Sequence, residues 1–207
     1  MRDRKLPSFL TFLCLPALFF LVFSACVFFN NRSFRQFTGQ IFRSELAGNT
    51  LNLHYTLKHP ENYGISEAPV TLGSAEPEVL EASGLVLENY QEVLRRFPYQ
   101  TLSKTNRLTY DILQLYLQNQ LSGQKFALYA EPLGPTIGTQ AQLPVLPAEY
   151  AFRNKADIET YLTLLTEMDE YYSTLVHFEE AKSRDGLFMS ASAAQAVLDQ
   201  CQAFIRE

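Results

Sequence analysis

The N-terminus constrains this chain most, because residues 6–29 carry no charged side chain. Only Ser8, Thr11 and Ser24 place hydroxyl groups in this apolar run. The five residues before it contain three basic side chains and one acidic side chain. A short basic stretch followed by an apolar stretch is typical of a secretory signal, whose positive end stays in the cytoplasm. We therefore expect the rest of the chain to be exported.

The end of this apolar run contains a candidate lipidation site. Residues 23–26, Phe-Ser-Ala-Cys, resemble the lipobox of bacterial lipoproteins, in which small residues precede a cysteine that is lipidated before cleavage. Cys26 is the candidate. Two alternatives stay open, an uncleaved signal anchor and an ordinary cleaved signal, because about 20 apolar residues span a bilayer. Lipoprotein and anchor both predict an outward-facing body tethered to the cell membrane through residues 1–29.

The remaining body is acidic and poor in cysteine. The whole chain carries a formal charge of -5, and its basic leader leaves the body more negative still. Without a Lys/Arg cluster such a body is unsuited to bind nucleic acid, which requires neutralisation of phosphates. Cys14 and Cys26 lie in the leader and Cys201 is alone in the body, which excludes a disulfide framework.

Helical periodicity dominates residues 33–207, which we take as one domain. The predicted fold class is mostly α, an array of about five helices after the anchor, with extended segments and a long Pro/Gly-rich loop. Capping signals and breakers delimit the helices. The predicted helices cover residues 33–46, 76–97, 103–121, 154–181 and a last stretch from 190 or 192. Their predicted core residues include Phe34, Ile41, Val79, Val86, Leu94, Leu108, Ile112, Leu115, Leu164, Leu165, Leu175, Val176, Val197, Leu198, Cys201, Phe204 and Ile205.

Two segments depart from this helical pattern. Leucines and Tyr55 alternate with polar residues over positions 51–58, a period of two that predicts a short strand or an extended segment. Residues 124–153 contain four prolines and two glycines and are predicted to be a long non-helical loop. Long loops inside compact domains are commonly functional, so this loop is a candidate to line or cover a substrate channel.

The inventory of reactive side chains is small. His54, His59 and His177 are the only histidines, and no HExxH, GxSxG, GxGxxG or Walker sequence occurs. We expect a structural or exposed role for His54 and His59. His177, beside Glu179 and Glu180, is expected to face solvent, and Cys201 is expected to be a buried thiol. Residues 134–138 look like a phosphate-binding loop but lack its lysine and its helix. The sequence thus predicts no catalytic, cofactor-binding or metal-binding residue.

Several blocks of the chain nevertheless resemble one bacterial family. Residues 50–57, 59–65 and 70–73 are similar to the N-terminal region of the domain-of-unknown-function 885 proteins. Residues 146–153 and 157–162 resemble the next block of that family, as do residues 178–179, 182, 186–189 and 200–201. Together the resemblance covers about residues 33–207.

This resemblance implies a helical fold akin to zinc metallopeptidases, often in exported lipoproteins. Family members are longer, and the HExxH-type zinc motif would lie in the part that follows Glu207. No family catalytic residue therefore maps onto this chain, and zinc is expected only in a full-length member. We also expect this chain to stop within a helix, as a truncated product would.

Two functional interpretations follow. In the first, the chain is the N-terminal fragment of a membrane-anchored, zinc-peptidase-like hydrolase, provides helical scaffold and part of a substrate channel, and is inactive alone. Its partners would be the membrane and the missing C-terminal portion. In the second, it is a non-enzymatic exported helical domain that binds a peptide or a partner protein. A reading frame that continues past codon 207 and encodes HExxH would favour the first.

Overall fold

The computed structural model of the protein describes residues 8–206, with side chains from residue 18 onward. Within that range the chain is mostly α-helical and contains no strand, which confirms the predicted fold class. Short 3-10 turns at Pro60–Tyr63, Tyr99–Thr101 and Gln124–Tyr129 lie between the helices. The helices are α1 (Ser8–Ala47), α2 (Thr50–Thr56), α3 (Pro77–Arg95), α4 (Lys104–Gly123), α5 (Thr139–Gln142), α6 (Val145–Ala148), α7 (Lys155–Arg184) and α8 (Ala191–Arg206).

Helix α1 is longer than the helix predicted over residues 33–46, because it begins at Ser8 and includes most of the apolar leader. It ends at Ala47, before the predicted stop at Gly48. In the part of the chain that the structure describes, no helix contains an apolar stretch long enough to cross a membrane. The predicted anchor begins before Ser8, so its first residues lie outside the described range, as does the side chain of Cys14.

The starts predicted for α3, α4 and α7 are confirmed, whereas the start predicted at residue 33 lies inside α1. Ser103 precedes α4 and accepts a hydrogen bond from the Asn106 N–H, and Pro77 occupies the first turn of α3. At the start of α7 the Asn154 side chain accepts from the Asp157 N–H, and the Asp157 carboxylate accepts from the Asn154 N–H. This reciprocal capping box pairs backbone donors that an uncapped helix end leaves unpaired.

The strand predicted from residues 51–58 is wrong, because residues 50–56 form helix α2. The Asn49 side chain caps this helix by accepting a hydrogen bond from the Asn52 N–H. Leu51 and His54 are both buried, and their spacing of three residues fits one helical face rather than one side of a strand. The alternation of leucines was therefore compatible with either period over so short a stretch.

The 124–153 segment is also more helical than predicted. It opens with a 3-10 turn and contains the four-residue helices α5 and α6. The Thr139 N–H donates to Pro132 O at 2.8 Å, and the Gly138 N–H donates to Gly134 O at 3.0 Å. These hydrogen bonds fold the segment back on itself. Its prolines limit the length of the helices but do not prevent helical turns from forming.

One hydrophobic core joins α1, α3 and α4. Phe34, Leu94, Leu102 and Leu117 are at most 2% exposed, and the Phe34 ring meets the Phe97 ring edge-on at a centroid distance of 5.3 Å. A second core is formed by Leu51, Leu72, Leu143, Tyr150 and Leu164. It holds α2 and the loop that contains α5 and α6 against α7.

A buried amide pair fixes α1 to the start of α4. The Asn31 side chain donates to Thr101 O at 2.8 Å and accepts from the Ser103 N–H at 2.7 Å. The Asn106 amide donates to Asn31 Oδ1 at 2.8 Å. Both asparagines are buried, and buried polar groups are costly unless they are hydrogen-bonded. These bonds therefore specify how the two helices meet.

The predicted core is correct for about a third of its members, six of the seventeen residues. Phe34, Ile41, Leu94, Leu164, Leu175 and Val197 are buried. On α4 the prediction chose the wrong face, since Leu113 and Leu117 point inward on the side opposite to the predicted stripe. The predicted core residues that are exposed are Val79, Val86, Leu108, Ile112, Leu115, Leu165, Val176, Leu198, Phe204 and Ile205.

This assignment of faces on α4 can be tested with two leucines two positions apart. Leu117→Ala should lower the free energy of unfolding by about 2–5 kcal/mol, because it opens a cavity in the core. Leu115→Ala, at a side chain that is 59% exposed, should change it by no more than about 0.5 kcal/mol. Denaturant melts of the full chain in non-ionic detergent, followed by circular dichroism, measure both values. Equal losses would contradict the assignment.

Candidate functional site

A cavity of about 450 Å³ lies between α2 and the first turns of α7, and we call it the His54 cavity. It brings together the two histidine-containing blocks of the sequence and the residues that precede α7, which are almost 100 positions further along the chain. Its wall is formed by Thr50, Leu53, His54, Leu57, Lys58, His59, Pro60, Glu61, Tyr150, Arg153, Asn154, Asp157 and Thr160.

Two stacked rings and an arginine that contacts one of them form the centre of this cavity. The imidazole of His54 is nearly parallel to the phenol ring of Tyr150, with 3.7 Å between ring centroids and 13° between planes. Arg153 Nη1 lies 3.2 Å from His54 Nδ1 and 3.4 Å from Nε2, so the guanidinium rests against the imidazole rather than on a single nitrogen. No role was predicted for Tyr150 or Arg153, because no short-range sequence pattern links them to His54.

Burial and charge keep His54 neutral. The side chain is 7% exposed, and burial lowers the pKa of its imidazole, as does the adjacent Arg153 guanidinium. Burial also raises the pKa of the Tyr150 hydroxyl, with a smaller contribution from the Asp157 carboxylate. A neutral imidazole can lie against a guanidinium without repulsion, so the stack is stable at neutral pH. The prediction of a structural role for His54 agrees with this burial.

The charged groups at the rim differ in their hydrogen-bond and ion-pair partners. Asp157 Oδ2 accepts hydrogen bonds from the backbone N–H groups of Arg153 at 2.7 Å and Asn154 at 3.2 Å, so this oxygen is paired with the main chain rather than with a cationic side chain. Glu61 Oε1 lies 3.1 Å from His59 Nδ1, and both side chains are exposed. Within residues 18–206 neither Lys58 nor the Arg153 guanidinium has a carboxylate oxygen within 4.0 Å. Two cationic side chains of this cavity are therefore available to an anion.

A second cavity, of about 570 Å³, lies on the other side of α2, and we call it the Tyr55 cavity. The Tyr55 hydroxyl donates to Leu146 O at 2.6 Å, which connects α2 to helix α6. Most of its wall is apolar, so it suits side chains rather than charged groups. It is lined by Asn49, Leu51, Asn52, Tyr55, Leu72, Thr139, Gln142, Leu143, Leu146 and Tyr171.

The other predicted residues of interest lie apart from these cavities. His177 is exposed, as predicted, and its Nδ1 donates to Glu76 Oε1 at 2.6 Å. Hydrogen bonding and charge from Glu76 raise the pKa of His177. Cys201 is partly buried on α8, and Cys26 is an exposed free thiol on α1. The 134–138 turn is closed by its own hydrogen bond, so it offers no phosphate loop.

Glu179, which the sequence singled out only as an acidic neighbour of His177, takes part in a buried ion pair on α7. The Lys182 side chain is fully buried, and its Nζ donates to Ala130 O at 2.8 Å and lies 3.0 Å from Glu131 Oε1. Glu179 Oε2 is 3.7 Å from the same Nζ, and neither oxygen of Glu179 has a hydrogen-bond partner among the described residues. Burial raises the pKa of the Glu179 carboxyl, and Lys182 opposes that rise.

Metal binding was not predicted for this chain. Among the described residues no three His, Cys, Asp or Glu side chains lie close enough together to bind a metal ion. The part of the chain that the structure describes therefore does not fit a zinc site, and we derive no hydrolytic step from it. The absence of a cofactor from the whole chain stays a prediction.

The pKa values of His54, which stacks on Tyr150, and of His177, which is paired with Glu76, should be shifted in opposite directions. We expect an NMR titration of the imidazole C–H signals to give a midpoint below about 6.5 for His54 and above it for His177. Arg153→Gln should raise the His54 midpoint, and Glu76→Gln should lower the His177 midpoint. Each substitution serves as the control for the other, and equal midpoints in the parent protein would contradict the described contacts.

These shifts also set the sign of the pH dependence of stability. The folded pKa of His54 lies below its unfolded value, so the unfolded chain binds the proton more readily and stability falls as pH drops below about 6.5. For His177 the folded pKa is raised, so its stabilising contribution is present below about 6.5 and is lost as pH rises through the folded pKa. Denaturant melts at pH values on both sides of about 6.5 measure each contribution. His54→Gln should remove the loss of stability at low pH, and His177→Gln should remove the loss as pH rises.

Comparison with known proteins gives a family but no characterised relative. The sequence profile of a family described as bacterial protein of unknown function (DUF885) matches residues 63–207, more than two-thirds of the chain. The match includes Tyr150, Arg153 and all of α7, and it begins after α2, so His54 lies outside it. No curated protein and no solved structure matches the chain. The chain therefore belongs to the bacterial DUF885 family of proteins of unknown function.

Proposed function

We propose that this chain is the N-terminal helical portion of an exported, membrane-anchored, zinc-peptidase-like hydrolase. In this proposal it provides scaffold and binds part of a peptide substrate, and it has no hydrolytic activity alone. The observation that carries the proposal concerns residues 124–153, the loop predicted to line a substrate channel. Its second half, residues 139–153, lines both cavities beside α2. Loops held on a rigid scaffold commonly supply binding residues.

The two cavities differ in a way that suits a peptide. The Tyr55 cavity offers Leu143, Leu146 and the Tyr55 ring, which are suited to apolar side chains. The His54 cavity offers polar and cationic groups, including Lys58 and Arg153. A peptide presents both kinds of group within a few residues, because its side chains alternate with main-chain amides along an extended backbone. Binding at this surface is the contribution that we assign to this chain.

Equilibrium dialysis tests this proposal. The full chain in non-ionic detergent should retain peptides from a pool of N-acetylated random pentapeptides above the level of protein-free micelles. Tyr55→Ala should lower that retention by about fivefold, because it removes an aromatic wall. The control is Leu108→Ala on α4, which should have no effect. The chain should cleave none of the pool and hold no stoichiometric zinc after dialysis. Cleavage or tightly held zinc would contradict inactivity.

The gene provides an independent check on the longer protein. A reading frame that continues past codon 207 and encodes HExxH supports the hydrolase, and expression of that longer product should restore zinc binding and peptidase activity. A longer product in which replacement of residues 124–153 leaves substrate preference unchanged would contradict the assigned role of the loop.

One observation favours the second candidate function, a non-enzymatic domain that binds a partner protein. Leu108, Ile112 and Leu115 are 59–61% exposed and lie on one face of α4. Contiguous exposed apolar side chains of this kind commonly mark an interface. In the dialysis experiment, retention that falls with Leu108→Ala and not with Tyr55→Ala would place binding on α4 and favour this candidate.

We further propose that lipidation of Cys26 anchors the body to the outer face of the membrane. In support, the Cys26 side chain is exposed on α1, next to the small residues Ser24 and Ala25. Metabolic labelling with an alkyne fatty acid should label the parent chain, and Cys26→Ser should abolish the label. Cys201→Ser, a matched change in the body, should leave it intact. Labelling that survives Cys26→Ser would contradict this site.

A further inference from the structure

We infer that the His54 cavity is a carboxylate-binding site, and that it recognises the C-terminal carboxylate of the bound peptide. This inference rests on the proposed function, because it names the part of the peptide that one of the two cavities binds.

Arg153 has unused hydrogen-bonding capacity. Its guanidinium contacts the imidazole of His54 and lies 3.4 Å from His54 O, and no carboxylate among the described residues is within 4.0 Å of it. The nearby Asp157 carboxylate accepts from two backbone N–H groups instead. An arginine has five N–H donors in a fork that matches a carboxylate. The donors that do not face His54 are therefore available to a ligand.

Contacts with His54 orient the guanidinium. Tyr150 is 6% exposed and belongs to the second core, and the ring of His54, which is 7% exposed, stacks on it. Arg153 Nη1 contacts this fixed imidazole, and Nη2 lies 3.4 Å from His54 O. An arginine held in this way loses little side-chain freedom when it binds an anion, which reduces the entropic cost of binding.

Lys58 and the start of α7 add to the positive potential. Lys58 lines the same cavity and has no carboxylate partner within 4.0 Å among the described residues. The cavity also lies at the N-terminus of a 30-residue helix, where the helix dipole favours negative charge. The two carboxylates of the wall, Glu61 and Asp157, are engaged by His59 and by backbone N–H groups. A volume of about 450 Å³ accommodates a terminal residue with its carboxylate.

The test compares pools that differ only in their negative charge. One pool consists of N-acetylated random pentapeptides with a free carboxylate, and a second consists of the same peptides as amides. A third contains amides with one fixed glutamate. We expect the acids to bind the full chain about tenfold more tightly than the amides in equilibrium dialysis. An acidic side chain that restores the affinity of the amides would assign the site to side-chain carboxylates and overturn the C-terminal assignment.

Substitutions link this difference to Arg153. Arg153→Gln should reduce the preference for acids to less than about twofold, whereas Arg184→Gln, at the other end of α7, should preserve it. Equal binding of acids and amides to the parent chain would overturn the inference while leaving the proposed peptide binding intact, and this arm needs no variant to fold. Binding of neither pool would overturn both proposals.

Discussion

The capping box that starts α7 determines the candidate site. Asp157 accepts hydrogen bonds from the backbone N–H groups of Arg153 and Asn154, and this fixes where the helix begins. The same contacts occupy the Asp157 carboxylate, which lies four residues after Arg153. The guanidinium therefore lies against His54 instead of forming an ion pair with its neighbour. One short polar motif thus sets the geometry of the helix and leaves a cation available.

The cavities follow from the way the second core is assembled. Helix α2 is only seven residues long, and such short helices are stable only when they are packed against other elements. Leu51 and His54 bury one face of it, while Tyr55 is 45% exposed at the wall of the Tyr55 cavity. The loop with α5 and α6 closes over the same core through Leu143 and Tyr150. These four buried residues also form cavity walls, so the packing of the core sets the shape of both cavities.

The sequence predicted the helix starts well, because Ser103, Pro77 and the Asn154–Asp157 pair act through neighbouring backbone atoms. It predicted the faces of α4 poorly, because that helix has apolar side chains on two opposite sides and periodicity alone cannot choose between them. The contact between His54 and Arg153 spans 99 positions and depends on the folded core. The burial of Glu179 and Lys182 was missed for a related reason, since two charged residues on a helix are usually solvated.

The Asn31 amide pair determines how closely the body would be held to a bilayer. Asn31 is five residues after Cys26 on the same unbroken helix, a separation of about 8 Å along its axis. Phe34, in the first core, follows within one further turn. A lipid on Cys26 would thus have no flexible tether between itself and the folded body. The folded body would then begin within about two helical turns of the lipid, so that this part of α1 would stay close to the headgroups.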